Sequence, residues 1–258
     1  MHFQRNVSLI ALAVSAAMGV SQAQAQNDSN QSQSSAQGQK QPIVALSDWN
    51  YDELYQQGGV TADNLMDTEV FGESGEEIGS VENVLINQDN QIAAIIAQVG
   101  GFWDIGDTHV LVPWNKVQLT DDGVQIPVNE DNADEYGLFD SEYITKQDLS
   151  QTQQVDDDVA TGNRVWKLSE LLDDYASVGE GVGYGYVDNV LFNKDGKIQA
   201  VVVESDGAYG GGPYAYPFYG YGYGWSPGYT TYSLPYEENE IGNMDAFDYE
   251  QYNGLWDN

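Results

Sequence analysis

An all-β fold, two small barrels in tandem with short flanking helices, is the class this 258-residue sequence predicts. One motif occurs twice: Gly79-Ser80-Val81-Glu82-Asn83-Val84-Leu85-Ile86-Asn87-Gln88-Asp89-Asn90-Gln91-Ile92 returns as Gly185-Tyr186-Val187-Asp188-Asn189-Val190-Leu191-Phe192-Asn193-Lys194-Asp195-Gly196-Lys197-Ile198. Each copy reads as a β-hairpin. Alternating apolar and polar residues lead into Asn-x-Asp-Asn/Gly, a turn that tolerates positive φ, and an apolar run at 93–99 or 199–204 leads out. Around the first copy, further short apolar segments are separated by turn residues at the spacing of a sandwich or barrel. The sequence has no Cys, so the fold rests on its core and not on disulfides, and thiolate chemistry and Cys-ligated metals are excluded.

In chain order, His2 and Arg5 form a short positive region, residues 7–20 are apolar with small side chains, and Ala23-Gln24-Ala25 supplies the small-x-small pattern of a cleavage site. Residues 1–25 are expected to be a signal peptide cleaved after Ala25, which implies a periplasmic or secreted protein. That apolar stretch is too short to span a bilayer comfortably, and no later segment approaches the roughly 20 apolar residues required. Residues 26–45 open Gln/Ser/Asn-rich and are predicted to be a disordered tether. Residues 46–128 form the first predicted domain. Ser47 is the expected N-cap of a short helix carrying Trp49, Tyr51, Leu54 and Tyr55, stopped by Gly58-Gly59. Strands are predicted at 69–71, 77–86, 92–99, 109–113, 116–119 and 124–128. Residues 129–163 read as an acidic linker with one helix around 131–136 and a solvated Asp156-Asp157-Asp158. Residues 164–258 form the second predicted domain, opening with Val165-Trp166-Lys167-Leu168-Ser169-Glu170-Leu171-Leu172 and a short helix from about Ser169.

The ordered series Leu65-Met66, Val70, Gly75, Glu77-Ile78-Gly79, Val81, Val84-Leu85, residues 92–99, Gly100-Gly101-Phe102, Gly106 and Val112-Pro113-Trp114 closely resembles the PRC-barrel family. The family is named for the photosynthetic reaction-centre H subunit and is also found in a ribosome maturation factor. The resemblance covers about residues 62–120. It implies a β-barrel of about six strands used for assembly or docking, and it brings no shared catalytic residues. The residues agree with it in physical terms. Gly79 marks a bend or close approach in a strand, Gly100-Gly101 ends the hairpin, and Pro113, before Trp114, stops a strand because it cannot donate to a ladder. The second copy reads as a divergent member: Gly185 repeats Gly79, and Pro235-Tyr236 is taken as the counterpart of Pro113-Trp114.

Between them lies a Gly/Tyr-rich stretch, 209–228, read as an expanded loop. Its Tyr209, Tyr214, Tyr216, Phe218, Tyr219, Tyr221, Tyr223 and Trp225 are the candidate binding residues, because aromatic rings spaced by Gly and Pro give flat contact area on a mobile backbone. The competing reading is a loop that is disordered or packs on itself.

Charge narrows the partners. Eight Lys and Arg face 41 Asp and Glu, a formal net charge of −33 spread along the chain. Such a surface repels nucleic acid, whose binding needs basic residues, and keeps the chain soluble at the cost of self-repulsion that salt relieves. The pattern reads as adaptation to high salt, with weak cation association. For catalysis, His109 is the one imidazole left after removal of the signal peptide, and no nucleophile or orienting acid converges on it by spacing. Adjacent acids such as Glu76-Glu77 and Asp173-Asp174 arise by chance in so acidic a chain. No metal or cofactor motif is present, and the hairpin turns lack the Glu that a calcium loop places after them. The sequence therefore predicts a non-catalytic extracytoplasmic binding or assembly module with an unknown protein or polysaccharide partner. The alternatives are an envelope-associated structural or stress protein acting through the polyanionic surface and the Tyr-rich loop, and a carboxylate-dependent enzyme.

Overall fold

The computed structural model describes residues 42–100, 108–220, 223, 225, 229–242 and 244–256, with the backbone alone at 130 and 134. The predicted signal peptide, the tether up to residue 41, Gly101 and Tyr221 lie outside the described residues. Those described belong to one compact unit.

The structure is all-β: among the described residues, α-helix is confined to α1 (Asp52–Gln57), α2 (Ala62–Leu65) and α3 (Glu238–Ile241). Helix α1 starts later than Ser47 predicts. Residues Leu46–Asp48 make a 3-10 turn, and it is Asn50 that accepts the Asp52 N–H through Oδ1 at 3.0 Å; Gly58, at φ 57°, ends the helix as expected. The first sheet is built from β2 (Glu69–Phe71), β3 (Glu77–Asn87), β4 (Ile92–Val99), β5 (Thr108–Pro113), β6 (Gln118–Leu119), β7 (Val124–Gln125) and β9 (Gln153–Val155), ordered β6-β7-β2-β3-β4-β5-β9. The second is built from β12 (Tyr175–Val178), β13 (Val182–Phe192), β14 (Ile198–Ser205), β15 (Gly212–Pro217) and β16 (Thr231–Ser233), ordered β15-β14-β13-β12-β16.

The two sheets repeat one another in register. Gly79 pairs with Val99 and Gly185 with Ser205, a shift of 106 in both, and the ladder irregularities at Val81/Asn83 and Leu85/Ile86 recur at Val187/Asn189 and Leu191/Phe192. The parallel pair Val70–Val124 recurs as Ala176–Tyr232.

Three contacts between the repeats each occur twice. First, short strands are exchanged: β1 (Val60–Thr61), ahead of the first sheet, pairs with Phe192 and Leu191 of the second, while β11 (Val165–Lys167), ahead of the second, pairs with Asn87, Ile86 and Leu85 of the first. Second, each hairpin turn binds the other. The Ile92 N–H donates to Gly196 O at 2.8 Å and the Ile198 N–H to Asn90 O at 2.9 Å, around the bridge Gln91–Lys197. Third, the motif asparagine clamps the opening of the opposite repeat. Asn189 Nδ2 donates to Asp63 Oδ2 at 2.6 Å while its Oδ1 accepts from the Asp63 N–H at 3.4 Å. Asn83 treats Ser169 the same way, at 2.8 Å to Oγ and 3.5 Å from the N–H. The relation is that of a dimer about a local two-fold, made within one chain.

Packing follows the exchange. One core cluster runs through both repeats and contains Val60, Ile86, Trp166 and Phe192 at the exchanged strands. The outer face of each central hairpin is also apolar and also covered. Leu85, Ala94, Ile96 and Leu111 are capped by Ile144, Val155, Val159 and Val165. Leu191, Ala200, Val202 and Ala215 are capped by Tyr51 and Leu54 of the leading segment and by Phe247 and Tyr252 near the C-terminus. The expected acidic linker 129–163 is therefore more than a linker. It holds a 3-10 helix Glu130–Glu135, adds β9 to the edge of β5, forms the parallel pair β8 (Tyr143–Ile144) with β10 (Ala160–Thr161), and buries Ala133, Ile144, Val155 and Val159 while Leu138, Tyr143 and Asp156-Asp157-Asp158 stay exposed.

Candidate functional site

The Gly/Tyr stretch is not the exposed loop its composition predicts: its described residues lie largely indoors. Residues 212–217 are strand β15, antiparallel to β14 in the register that β5 takes on β4: Ala200 pairs with Pro217 as Ala94 pairs with Pro113. Pro217 is thus the counterpart of Pro113. Pro235 corresponds instead to Pro127, since Leu234 N–H bonds Ser177 O as Ile126 N–H bonds Phe71 O. Tyr216, Phe218, Tyr219 and Trp225 are buried, and Tyr209, Tyr214 and Tyr223 are half-buried against the central core.

Tyrosines fill positions that aliphatic residues fill in the first repeat: Tyr184 for Ile78, Tyr216 for Val112, Tyr232 for Val124. A buried phenol needs a partner for its hydroxyl, and these find one another. Tyr184 and Tyr216 hydroxyls lie 2.6 Å apart, Tyr219 and Tyr236 hydroxyls 3.0 Å, and the Tyr219 N–H donates to Tyr232 Oη at 2.9 Å. The same network anchors the start of the described chain, because Val44 N–H donates to Tyr219 Oη and Tyr236 Oη donates to Val44 O. Tyr209 donates to Glu238 Oε1 at 2.6 Å. Burial pushes the Tyr216, Tyr232 and Tyr236 phenols upward, so they stay protonated donors.

The remaining motif residues hold the scaffold. A Cβ on Gly79 would lie 1.8 Å from Gln98 O and one on Gly185 2.0 Å from Glu204 O, so only glycine admits the neighbouring strand. Gly100, at φ 92°, ends β4. Trp114 opens the 3-10 turn Trp114–Lys116 and reaches the other repeat: Nε1 donates to Asp195 O at 3.0 Å and the indole covers Gly196, where a Cβ would sit 2.4 Å from Nε1. His109 lies in β5, half-buried rather than open, with Nε2 2.8 Å from Glu82 Oε2. Glu82 occupies the ladder irregularity next to Asn83, so the pair reads as a cross-strand tie.

Near the exchanged strand β11, Trp225 Nε1 donates to Asp174 Oδ2 at 3.1 Å and Trp225 meets Trp166 edge-on at 5.6 Å. Burial raises the Asp174 carboxyl to about 6, helped by Glu170 and opposed by the indole N–H. A raised carboxyl is stabilising in its protonated form: the contribution is fully present below the ordinary value of 3.8 and is lost as pH rises through about 6. Asp63 is shifted the same way by burial, then by Asp188 and Asp173. Asp174→Asn keeps an oxygen for Trp225 and removes the buried charge, so its melting temperature at pH 7 is expected to rise and its slope between pH 4 and 6 to flatten. Melting curves with the wild-type slope in the variant would contradict this.

What the surface offers is elsewhere, in two places that sequence patterning missed. On the second sheet Tyr175 and Tyr186 face each other across β12 and β13, 57 % and 43 % exposed, with ring centroids 4.7 Å apart. Their first-repeat equivalents are Glu69 and Ser80. Tyr229, 70 % exposed, precedes Thr230, whose carbonyl accepts the Tyr175 N–H. The signal was present in the duplicated motif, where tyrosine stands at a solvent-facing strand position that its twin fills with serine. The second place is a cleft of about 940 Å³ lined by Tyr143, Thr145, Thr161, Asn163, Arg164 and Trp166. Arg164, an exposed lining residue, holds a left-handed backbone, φ 70°, a conformation that costs a non-glycine residue on the order of 1 kcal/mol or more.

Among the described residues no group of His, Asp and Glu is arranged to hold a metal ion, and no helix is long and apolar enough to cross a membrane. No curated protein matches the chain. The PRC-barrel domain family matches residues 58–133.

Proposed function

We propose, from the premise that residues 58–133 are a PRC-barrel domain, that this protein is a non-catalytic extracytoplasmic assembly module, exported by its N-terminal signal and adapted to a salty compartment. A PRC-barrel domain points to binding and assembly in general terms. The observation that carries the reading to this chain is the exposed Tyr175–Tyr186 pair, standing where the first repeat has Glu69 and Ser80. Large aromatic side chains held in water on an otherwise carboxylate-rich surface are the usual mark of a contact site. The net charge of −33 agrees with a salty compartment, because screening relieves its self-repulsion.

The test is crosslinking in intact cells, with a photoreactive residue at Thr231, the register neighbour of Tyr175. Discrete crosslinked species are expected in the periplasmic fraction, together with a mature N-terminus at Gln26. A cytoplasmic, uncleaved chain, or one that captures nothing, would refute the reading. A second reading, contact with envelope polysaccharide, draws on the Arg164 cleft, whose aromatic, hydroxyl and guanidinium lining suits a sugar. Co-sedimentation with peptidoglycan, lost in Arg164→Ala, would favour it.

A further inference from the structure

We infer that the Tyr175–Tyr186 face binds a cationic, Arg- or Lys-bearing segment of a partner protein; this deepens the assembly reading and rests on it. The row of register partners across the second sheet runs Thr231, Tyr175, Tyr186, Glu204, Pro213. Two exposed rings therefore lie beside an exposed carboxylate, and Asp206 is close enough to Tyr186 to act on its phenol. Asp188, exposed two residues along β13, adds a third acid and accepts from Tyr249 Oη at 2.8 Å. Ring faces attract a guanidinium or ammonium through their quadrupole, and neighbouring carboxylates supply the ion pair.

Charge complementarity selects this occupant over the others. A polyanion is repelled by the net charge of −33, and so is a second copy of this chain. A cation is drawn to the molecule at long range and recognised at short range only where aromatic rings are exposed. The corresponding row in the first repeat, Glu69, Ser80, Gln98, His109, Val155, offers a carboxylate without a phenol ring and is closed at its end by β9. It is an internal control carried by the same molecule.

The experiment compares wild type with Tyr175→Ser/Tyr186→Ser, a change that leaves net charge untouched. Calorimetric titration of the whole exported chain uses three probes: a short Arg-Gly repeat peptide, a Ser-Gly peptide of equal length, and chitohexaose. The expected result is binding of the Arg-Gly peptide alone, weakened about tenfold in the double variant, with an unchanged melting curve because both side chains lie at the surface. Equal affinity of the two proteins for the Arg-Gly peptide would reduce the effect to bulk charge and overturn the inference. Preference for chitohexaose, abolished in the variant, would overturn it in favour of a neutral glycan. The crosslinking test separates this failure from that of the assembly reading. A partner captured equally by the double variant sinks the cation platform and leaves assembly standing, whereas no captured partner sinks both.

Discussion

Expressed apart, residues 42–163 and 164–256 are expected to be unfolded, and mixed in equal amounts to regain the near-ultraviolet signal of the whole chain. The separated first half loses β11 from β3 and the Asn83–Ser169 clamp. The second half loses β1, the Asn189–Asp63 clamp, and the Tyr51 and Leu54 side chains that cover Leu191, Ala200 and Val202. Each fragment would expose several side chains now fully buried, among them Val60 or Trp166, Ile86 or Phe192, at about 1.5–3 kcal/mol apiece. That sum is comparable with the whole stability of an ordinary domain. The intact chain should accordingly unfold in one cooperative transition seen alike by tryptophan fluorescence and by circular dichroism. A half that folds alone, or two transitions in the intact chain, would show the exchange to be incidental.

The second large effect is expected from Trp166→Ala. Trp166 is 2 % exposed, sits on the exchanged strand opposite Ile86, and packs edge-on against Trp225. Removing a buried indole typically costs about 3–5 kcal/mol, cavity included. Because the Trp225 indole N–H holds the Asp174 carboxyl down against burial, loosening Trp225 should push that carboxyl further up. Denaturant unfolding checks the first expectation and carboxyl titration by NMR the second. A loss below 1 kcal/mol would mean that β11 is a passive edge, and the swapped-strand account of the core would fall with it.

The hairpins were legible in the sequence because alternation, Asn-x-Asp turns and the spacing glycines Gly79 and Gly185 are local signals with local causes. The exchange was not. Strands β1 and β11 are two and three residues long, too short to show a period, and their partners lie more than 75 residues away or more than 125. The motif asparagines were visible twice, yet nothing in their spacing says that each faces the other copy. In residues 209–228, Gly and Pro outweighed the alternation of Tyr214, Ala215 and Tyr216. Among the described residues strand β15 lies at the end of its sheet, where Pro213 and Pro217 can be carried because one side of the strand has no ladder there to complete. Acidity masked 129–163 in the same manner, since Ile144, Val155 and Val159 are few among many carboxylates but are the residues that decide where the segment goes.

The reciprocal turn contact, Ile92 to Gly196 and Ile198 to Asn90, sets the valency of the molecule. Two separate chains meeting in this way would form a complex that dissolves on dilution and would display any recognition face in duplicate. Joining the halves covalently makes their encounter independent of concentration and frees one half to change without the other. Glu69 and Ser80 are hydrophilic where Tyr175 and Tyr186 are aromatic, so each molecule shows its stacking face once and would cap a partner where a symmetric pair would bridge two.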